Sequence, residues 1–175
     1  MRRLMLLRHA KSSWNEPGVD DHDRPLSDRG HRDAPLIGAW LARHALQPDA
    51  VLCSTALRAR QTCEHVLRAL PAAPSPRLLK ALYTFGGEGP LTAAIRRHGG
   101  DARTLLLVGH NNAMHNLAAA LAATGAPKSL ARLRRKYPTA ALSVFALDID
   151  DWRDFAPSGG HLEHFVRPKD LRGKT

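Results

Sequence analysis

Three short apolar segments of the sequence each end beside arginine or histidine side chains. The segments are residues 4–7, 49–54 and 104–109, and the side chains that follow them are Arg8, His9, Arg58 and His110. In open α/β sheets, ligands gather at the carboxyl ends of the strands. If the three segments are neighbouring parallel strands, we expect the two arginines and two histidines to face one pocket.

Two arginines and two histidines without a nearby cysteine predict an anion site. Guanidinium groups match phosphate oxygens with paired hydrogen bonds, and a phosphoryl group in transfer carries its charge on three equatorial oxygens. A neutral imidazole is a competent nucleophile, and flanking positive charge should lower its pKa and keep it unprotonated. The pattern therefore predicts that a histidine attacks a phosphate monoester or phosphoramidate, forming a phosphohistidine that is then hydrolysed.

The elements that must position these residues alternate between strand-like and helix-like patterns, which favours an α/β architecture with a mostly parallel sheet. Predicted strands lie at residues 4–7, 49–54, 104–109, 141–149 and 161–166. Predicted helices span residues 27–44, 56–70, 90–98 and 113–123. Ser27 is a suitable N-cap for the first helix, whereas Gly30 and Pro35 should weaken its first turns. The length predicts one domain over residues 1–175.

Five motifs together resemble a known family. In chain order they read "LLRHA", "DHDRPLSDRG", "STALRARQT", "LLLVGHNN" and "FVRPKDL". The first, third and fourth resemble the histidine phosphatase superfamily, which includes the cofactor-dependent phosphoglycerate mutases. The other two are similar to its small SixA-type phosphohistidine phosphatase branch. The resemblance runs from Met1 to about Leu171, and it implies a three-layer α/β/α sandwich with a mostly parallel central sheet and no large cap subdomain.

The resemblance implies a role for each of the four residues at the strand ends. His9 would be the nucleophile that becomes phosphorylated. Arg8 and Arg58 would clamp the phosphoryl oxygens. His110 would hydrogen-bond the phosphoryl group and stabilise its charge during transfer.

Three further residues are weaker candidates for binding the substrate. Arg24 is expected to help shape the pocket. Asn111 is expected either to hydrogen-bond the substrate or to act as a helix N-cap. Asp21 is expected to contribute to the pocket, and either Asp21 or Asp23 could act as a carboxylic acid. Asp23, directly before "RPL", is equally expected to be an ion-pair partner of Arg24.

The sequence departs from the mutase-like members at the leaving-group acid. The segment that should supply this acid contains only Glu88, in a glycine-rich stretch, and an exposed loop residue is the plainer interpretation. A positioned acid contributes roughly 10²–10⁴ in rate when the leaving group is an alkoxide. Imidazole leaves phosphohistidine far more easily, so a site without that acid suits a phosphoramidate. The short chain also predicts an open pocket that admits a phosphohistidine on another protein.

The net charge of +10 is the unusual bulk property of the chain. A basic cluster, Arg132, Arg134, Arg135 and Lys136, resembles a nucleic-acid patch. Aromatic residues make up 5% of the chain and are not interleaved with this cluster, so the stacking platform for single strands is missing. We therefore expect a solvated surface at this cluster and no nucleic-acid partner.

Other classes of site are disfavoured. No C-x-x-C pair is present, and a metal site built from His9, His22 and His110 would lack a carboxylate or thiolate, so we expect neither a metal nor another cofactor. The two cysteines, Cys53 and Cys63, are expected to be buried and reduced. The longest apolar run, residues 117–123, is far shorter than the ~20 residues of a membrane span, and we expect a cytoplasmic protein without a membrane partner.

The interpretation chosen from the sequence is a metal-independent phosphohydrolase that acts on protein phosphohistidine. A phosphatase of small phosphate monoesters is the nearest alternative, and a mutase is a weaker one. An alternative from another class is a basic nucleic-acid-binding or scaffold protein that keeps a vestigial site.

Overall fold

The computed structural model describes residues 1–173, which form one seven-stranded sheet flanked by six helices. The strands are β1 Arg2–Arg8, β2 Ala50–Ser54, β3 Arg77–Leu79, β4 Thr104–Gly109, β5 Ala122–Gly125, β6 Leu142–Leu147 and β7 Gly160–Val166. The helices are α1 Asp28–Arg43, α2 Leu57–Leu67, α3 Gly89–His98, α4 Ala113–Leu121, α5 Pro127–Arg135 and α6 Pro168–Leu171. Short 3₁₀ turns occur at Asp21–Asp23, Lys80–Leu82 and Trp152–Asp154.

The sheet has the strand order β3-β2-β4-β1-β6-β7-β5. Adjacent strands run parallel except where β6 pairs with β1 and with β7. In the register of β1 and β4, Arg8 lies opposite Gly109, and Cys53 of β2 lies opposite Val108. The carboxyl ends of these three strands are therefore level, and the predicted mostly parallel sheet is confirmed.

The helices cover both faces of the sheet because the central strands are apolar on both sides. In β1, Leu4 and Leu6 belong to one buried cluster, together with the apolar residues of α3, α4 and α5. Met5 and Leu7 belong to a second cluster, with α1 and α2. The result is the three-layer α/β/α sandwich that was expected.

The first helix shows how a local signal and a tertiary contact combine. Ser27 caps α1, as predicted, by accepting a hydrogen bond from the Gly30 amide at 3.2 Å. Gly30 does not prevent the helix: a Cβ there would lie 2.2 Å from the Lys11 carbonyl oxygen, so only glycine allows this approach. Pro35 lies inside the helix, which continues to Arg43. The helix therefore forms through both Gly30 and Pro35, and the expected weakening of its first turns stays a prediction.

The sequence patterns missed two edge strands and two helices. The predicted helix 113–123 ends at Leu121, and residues 122–125 form β5 instead. Alanine-rich segments have low strand propensity, so only pairing with β7 makes this strand. Strand β3 is three residues long and follows a proline-rich segment. The helices α5 and α6 both begin at a proline, which fits the first helical turn.

Two further expectations concern the interior and the membrane. Cys53 and Cys63 are both buried and free, as predicted. Among residues 1–173, no helix combines the length and hydropathy needed to cross a membrane.

Candidate active site

The level carboxyl ends of β1 and β4 bring two histidine rings together. His9 follows β1 and His110 follows β4, and the centres of their rings are 5.1 Å apart. His9 is 7% exposed and His110 is 1% exposed. The His9 amide donates to the Gly109 carbonyl at 3.0 Å, which holds the two strand ends in place. The structure therefore brings the predicted histidine pair into one pocket.

The hydrogen bonds of His9 define which ring nitrogen is free. Its Nδ1 lies 2.7 Å from the Ala10 carbonyl oxygen, which can only accept, so Nδ1 carries the proton and donates it. In the neutral ring, Nε2 then keeps its lone pair. The Ala10 amide donates to Thr62 Oγ1 at 2.9 Å, and this hydroxyl donates to the Arg58 carbonyl at 2.7 Å. Thr62 thus ties the His9 segment to α2.

The surroundings of both histidines favour the uncharged ring. Burial is the main cause that lowers the pKa of His9 to about 3, and the nearby charges of Arg58, Arg8 and Arg24 add to it. Burial also lowers the pKa of His110 to about 2, together with His9, Arg58 and Arg8. Both imidazoles are therefore neutral at physiological pH, as a histidine nucleophile requires.

Two guanidinium groups face this pair from different elements. Arg8, at the end of β1, donates from Nη1 to the Tyr137 carbonyl at 3.0 Å. Arg58, in the first turn of α2, is 2% exposed. Its Nη1 donates to the Asp21 carbonyl at 2.6 Å, and its Nη2 pairs with the Asp21 carboxylate at 3.0 Å. Burial lowers the pKa of Arg8, and the like charge of Arg58 lowers it further.

Asp21 is an ion-pair partner and not a free carboxylic acid. Its carboxylate accepts hydrogen bonds from Arg24 at 3.1 Å, from Arg58 at 3.0 Å and from the Tyr83 hydroxyl. Burial opposes ionisation, but these hydrogen bonds prevail and lower the pKa of Asp21 to about 2. The sequence pattern favours Asp23 as the ion-pair partner of Arg24, but the structure places Asp21 there, and the pairing extends to Arg58. A carboxyl group with this pKa cannot hold a proton for a leaving group near neutrality.

Ser54 controls the tautomer of His110. Ser54 Oγ lies 2.8 Å from His110 Nε2 and accepts from the Ala56 amide at 3.3 Å. Because Ser54 Oγ already accepts a hydrogen bond from that amide, its own hydroxyl proton is available for His110 Nε2. Nε2 is then the acceptor, and the ring proton of His110 lies on Nδ1. Nδ1 has no hydrogen-bond partner among the described residues. His110 can thus present an N–H donor to a bound anion.

The Asn111 side chain does not cap a helix. The N-cap of α4 is Asn112, so the helix-capping alternative for Asn111 is wrong. Asn111 Nδ2 donates to the Tyr137 carbonyl at 2.8 Å instead.

Glu88 precedes α3, and its side chain makes no capping hydrogen bond. No hydrogen bond or ion pair joins its side chain to the histidine pair among residues 1–173, and its role as an acid stays a prediction.

Unpartnered polar atoms mark this pocket within the described chain. Six buried side-chain nitrogen or oxygen atoms lack a hydrogen-bond partner there, and four of them belong to the pocket: Arg8 Nε, Arg58 Nε, His110 Nδ1 and Asn111 Oδ1. A buried polar atom without a partner costs about 1–3 kcal/mol. Three of these four atoms are arginine or histidine nitrogens that can donate a hydrogen bond, which fits a pocket that binds an anion.

Several residues of the site were not predicted from the sequence. Ser54 is the last residue of the predicted strand 49–54, and a hydroxyl two residues before the N-cap of a helix is a detectable signal. The Tyr83 hydroxyl and the Tyr137 carbonyl come from distant loops, and no local pattern indicates them.

The part of the chain that the structure describes contains no group of three or more His, Cys, Asp or Glu side chains placed to hold a metal ion.

Comparisons with known proteins agree with this geometry. Residues 4–82 match the histidine phosphatase superfamily (branch 1). An uncharacterized protein of Mycobacterium tuberculosis (strain H37Rv) is 40% identical over 165 residues, covering 93% of this chain and 100% of its own length. A solved structure from Agrobacterium tumefaciens, assigned as the phosphohistidine phosphatase SixA, has a TM-score of 0.78 at 28% identity and covers 95% of this chain and 98% of its own. A second structure so assigned, from Nakamurella multipartita, has a TM-score of 0.77 at 30% identity, covering 95% and 96%.

The strand-end histidines, the paired arginines and these relatives define the class of protein. The chain belongs to the histidine phosphatase superfamily, and it is accordingly a phosphatase, a hydrolase of phosphorylated substrates. Within the superfamily, its similarity to both SixA structures identifies the SixA-type branch.

Proposed function

We propose that the protein hydrolyses phosphohistidine on other proteins through a covalent phosphoryl intermediate on His9. The observation that carries this proposal is the state of His9. Its Nδ1 donates to the Ala10 carbonyl, and its Nε2 is unprotonated beside the guanidinium groups. The ring is therefore already in the tautomer that attacks phosphorus.

The reaction proceeds in two transfers. His9 Nε2 forms a bond to phosphorus while the phosphorus–nitrogen bond of the substrate breaks. Water then attacks the phosphorus of phospho-His9, which releases inorganic phosphate and restores the neutral ring. During the intermediate, the Ala10 carbonyl stabilises the positive charge that develops on Nδ1–H.

The remaining pocket residues act on the charge of the phosphoryl group. Arg8 and Arg58 bind its oxygens, and His110 donates from Nδ1 to the oxygen charge that grows during transfer. Asn111 offers a further contact through its side chain. Arg24 and Asp21 contribute indirectly, because Asp21 holds the Arg58 guanidinium in place and Arg24 holds Asp21.

The ionised state of Asp21 favours a phosphoramidate substrate. The ion pairs of Asp21 lower its pKa to about 2, which removes it as an acid. A phosphohistidine whose second ring nitrogen carries a proton leaves as neutral imidazole and needs no acid from the enzyme. A monoester leaves as an alkoxide, which does need one.

The side chains at the rim of the pocket favour a large substrate. Two exposed aromatic side chains contact site residues: Trp14, 70% exposed, stacks on Arg24 at 3.4 Å, and Phe85, 42% exposed, lies 5.0 Å from the His110 ring. Exposed aromatic side chains beside a catalytic pocket suit contact with a protein surface or with the imidazole ring of the substrate. The cytoplasmic location and the lack of a membrane or nucleic-acid partner stay predictions.

The test is a quench-flow experiment with phosphoramidate, read out by intact-protein mass. We expect a transient gain of one phosphoryl group, mapped to His9, and loss of both this gain and turnover in His9→Ala. His161→Ala, on the exposed surface of β7, is the matched control and should behave as the parent. Undiminished turnover in His9→Ala would contradict the assignment of the nucleophile.

A second comparison separates the substrate classes. The parent protein should turn over a phosphohistidine peptide with a kcat/KM at least about 10²-fold above that for p-nitrophenyl phosphate, since Asp21 is ionised and does not assist the ester as an acid. Equal or higher efficiency on the ester would favour the small-monoester alternative. No phosphoenzyme and no turnover with any of these donors would favour the binding or scaffold alternative.

A further inference from the structure

A second arginine-rich region lies outside the pocket, in a groove between α1 and α6. The groove has a volume of about 620 Å³. Its charged lining consists of Arg29, Arg32, Asp33, Arg43 and Arg172. Four arginines surround a single carboxylate, so the groove is strongly cationic. We name it the α1–α6 groove.

Buried Asp33 organises one end of the groove. Asp33 is 2% exposed and pairs with Arg29 at 3.3 Å and with Arg172 at 2.6 Å. It thereby joins α1 to the residue after α6. Its charge is shared between two guanidinium groups, while Arg32 and Arg43 are exposed and make no ion pair with any residue in the described range 1–173.

The floor of the groove is apolar. Leu36, Ala39 and Leu171 line it and are each partly exposed. Fourteen residues separate Arg29 from Arg43, which is about 20 Å along a helix at 1.5 Å per residue. This length matches a helix of a partner protein that presents acidic residues to the arginines and aliphatic residues to the floor.

One end of the groove lies at the same edge of the sheet as the pocket. The N-cap of α1, Ser27, donates from its amide and its hydroxyl to the Lys11 carbonyl, two residues after His9. Strand β7 runs parallel to β1, and α6 follows it directly, so α6 lies at the same edge of the sheet. A protein whose phosphohistidine enters the pocket therefore has surface near this groove.

We propose that the α1–α6 groove docks an acidic helical face of the phosphoprotein substrate. This inference rests on the proposed function for its biological meaning, but docking itself is a separate property. Charge complementarity selects an acidic partner. An apolar floor without aromatic side chains suits aliphatic residues of a protein and lacks the stacking surface that favours nucleic acid.

The test uses two synthetic phosphohistidine peptides that share the phosphorylated segment. One carries a Glu-rich helical extension and the other a Gln-rich one. The parent protein should prefer the Glu-rich peptide about tenfold in kcat/KM, through KM, since the small gains from several exposed charge pairs add up. The variant Arg32→Glu/Arg43→Glu should lose this preference and keep its turnover of phosphoramidate.

A matched variant controls for net charge. Arg97→Glu/Arg103→Glu makes the same charge change on exposed residues of α3 and of the amino end of β4, and it should retain the preference. A thermal unfolding scan of each variant establishes that it is folded. An equal loss in the control variant would contradict a specific groove, because only the overall charge would then matter.

Direct binding separates this inference from the proposed function. The fluorescence anisotropy of a labelled, unphosphorylated Glu-rich peptide should report binding to the parent and loss of binding in Arg32→Glu/Arg43→Glu, whatever the enzyme hydrolyses. Failure of phosphoramidate turnover would overturn the proposed function and leave this readout intact. Tighter binding of a labelled DNA duplex, lost in the same variant, would overturn the acidic-protein assignment in favour of nucleic acid.

Discussion

The pocket and the α1–α6 groove are both lined by arginines, yet they hold these side chains in different ways. In the pocket, Arg58 is 2% exposed and is fixed by the backbone and side chain of Asp21. In the groove, Arg32 and Arg43 are exposed. Burial removes water and salt from around a charge, so the pocket's charges act strongly on their neighbours, whereas those of the groove are screened.

This contrast assigns the two regions to different parts of the reaction. Burial lowers the pKa of His9, the charges of Arg58 and Arg8 lower it further, and both arginines stand ready to stabilise the charge of the transition state. The exposed arginines act on encounter and docking, which depend on long-range attraction and on salt. Substitutions in the pocket should therefore change kcat, and those in the groove should change KM for an acidic substrate.

The largest expected effect comes from removing a buried guanidinium. Arg58→Ala should lower kcat for phosphoramidate by about 10²–10³, because a preorganised donor to the transferring group is lost. Arg32→Ala, the same substitution in the groove, should change it less than about twofold. Steady-state kinetics of both variants measures this difference in kcat. A comparable loss of kcat in Arg32→Ala would contradict the assignment of the pocket to catalysis and of the groove to docking.

The pocket should also make stability depend on pH. Burial holds the pKa of His9 at about 3 and of His110 at about 2, below the ordinary 6.5. As pH falls below 6.5, the unfolded chain takes up protons first, so stability is full above 6.5 and falls toward pH 3. Each histidine contributes up to about 1.4 kcal/mol per pH unit to this slope.

Urea unfolding between about pH 7 and about pH 4 measures this slope. His9→Asn and His110→Asn should each flatten it. His161→Asn, on the exposed surface of β7, should leave it unchanged. A slope that all three variants share would place its origin outside the pocket.

A smaller effect is expected where a pocket residue acts only through its neighbour. Ser54→Ala removes the hydroxyl that keeps the His110 proton on Nδ1, and it should lower kcat about tenfold while KM stays within about twofold. Ser54→Thr keeps the hydroxyl and should restore most of the activity. An equal loss in Ser54→Thr would show that packing, and not the hydroxyl, matters at this position.

The catalytic residues could be predicted because chemistry and local pattern coincide at them. Arg8, His9, Arg58 and His110 each follow a recognisable strand, and parallel strands place such residues at one edge. The role of Asp21 could not be predicted in this way: Asp23, next to Arg24, was the expected partner of that arginine, and Arg58 and Tyr83 reach Asp21 from distant segments. Sequence spacing carries no record of such long-range pairs.

The basic cluster of residues 132–136 also shows that sequence spacing does not predict long-range pairs. The sequence presents residues 132–136 as one patch, but Arg132 pairs with Asp170 of α6 and Arg134 donates to the Ala122 carbonyl at 2.8 Å. Tertiary contacts therefore divide the cluster between structural and free charges. The α1–α6 groove combines both origins, since three of its arginines lie along α1 and only the docking of α6 on α1 adds Arg172 to them.

By itself, the sequence determined the alternation of strands and helices, the chemistry of the strand ends and the membership of the superfamily. These properties depend on residue types and short spacings, which periodicity and motifs record directly. Only the tertiary structure decided the tautomers of His9 and His110, the pairing of Asp21 with Arg58, the edge strands β3 and β5, and the α1–α6 groove. Each of these depends on groups that are distant in the chain and meet only when the sheet and its helices have packed.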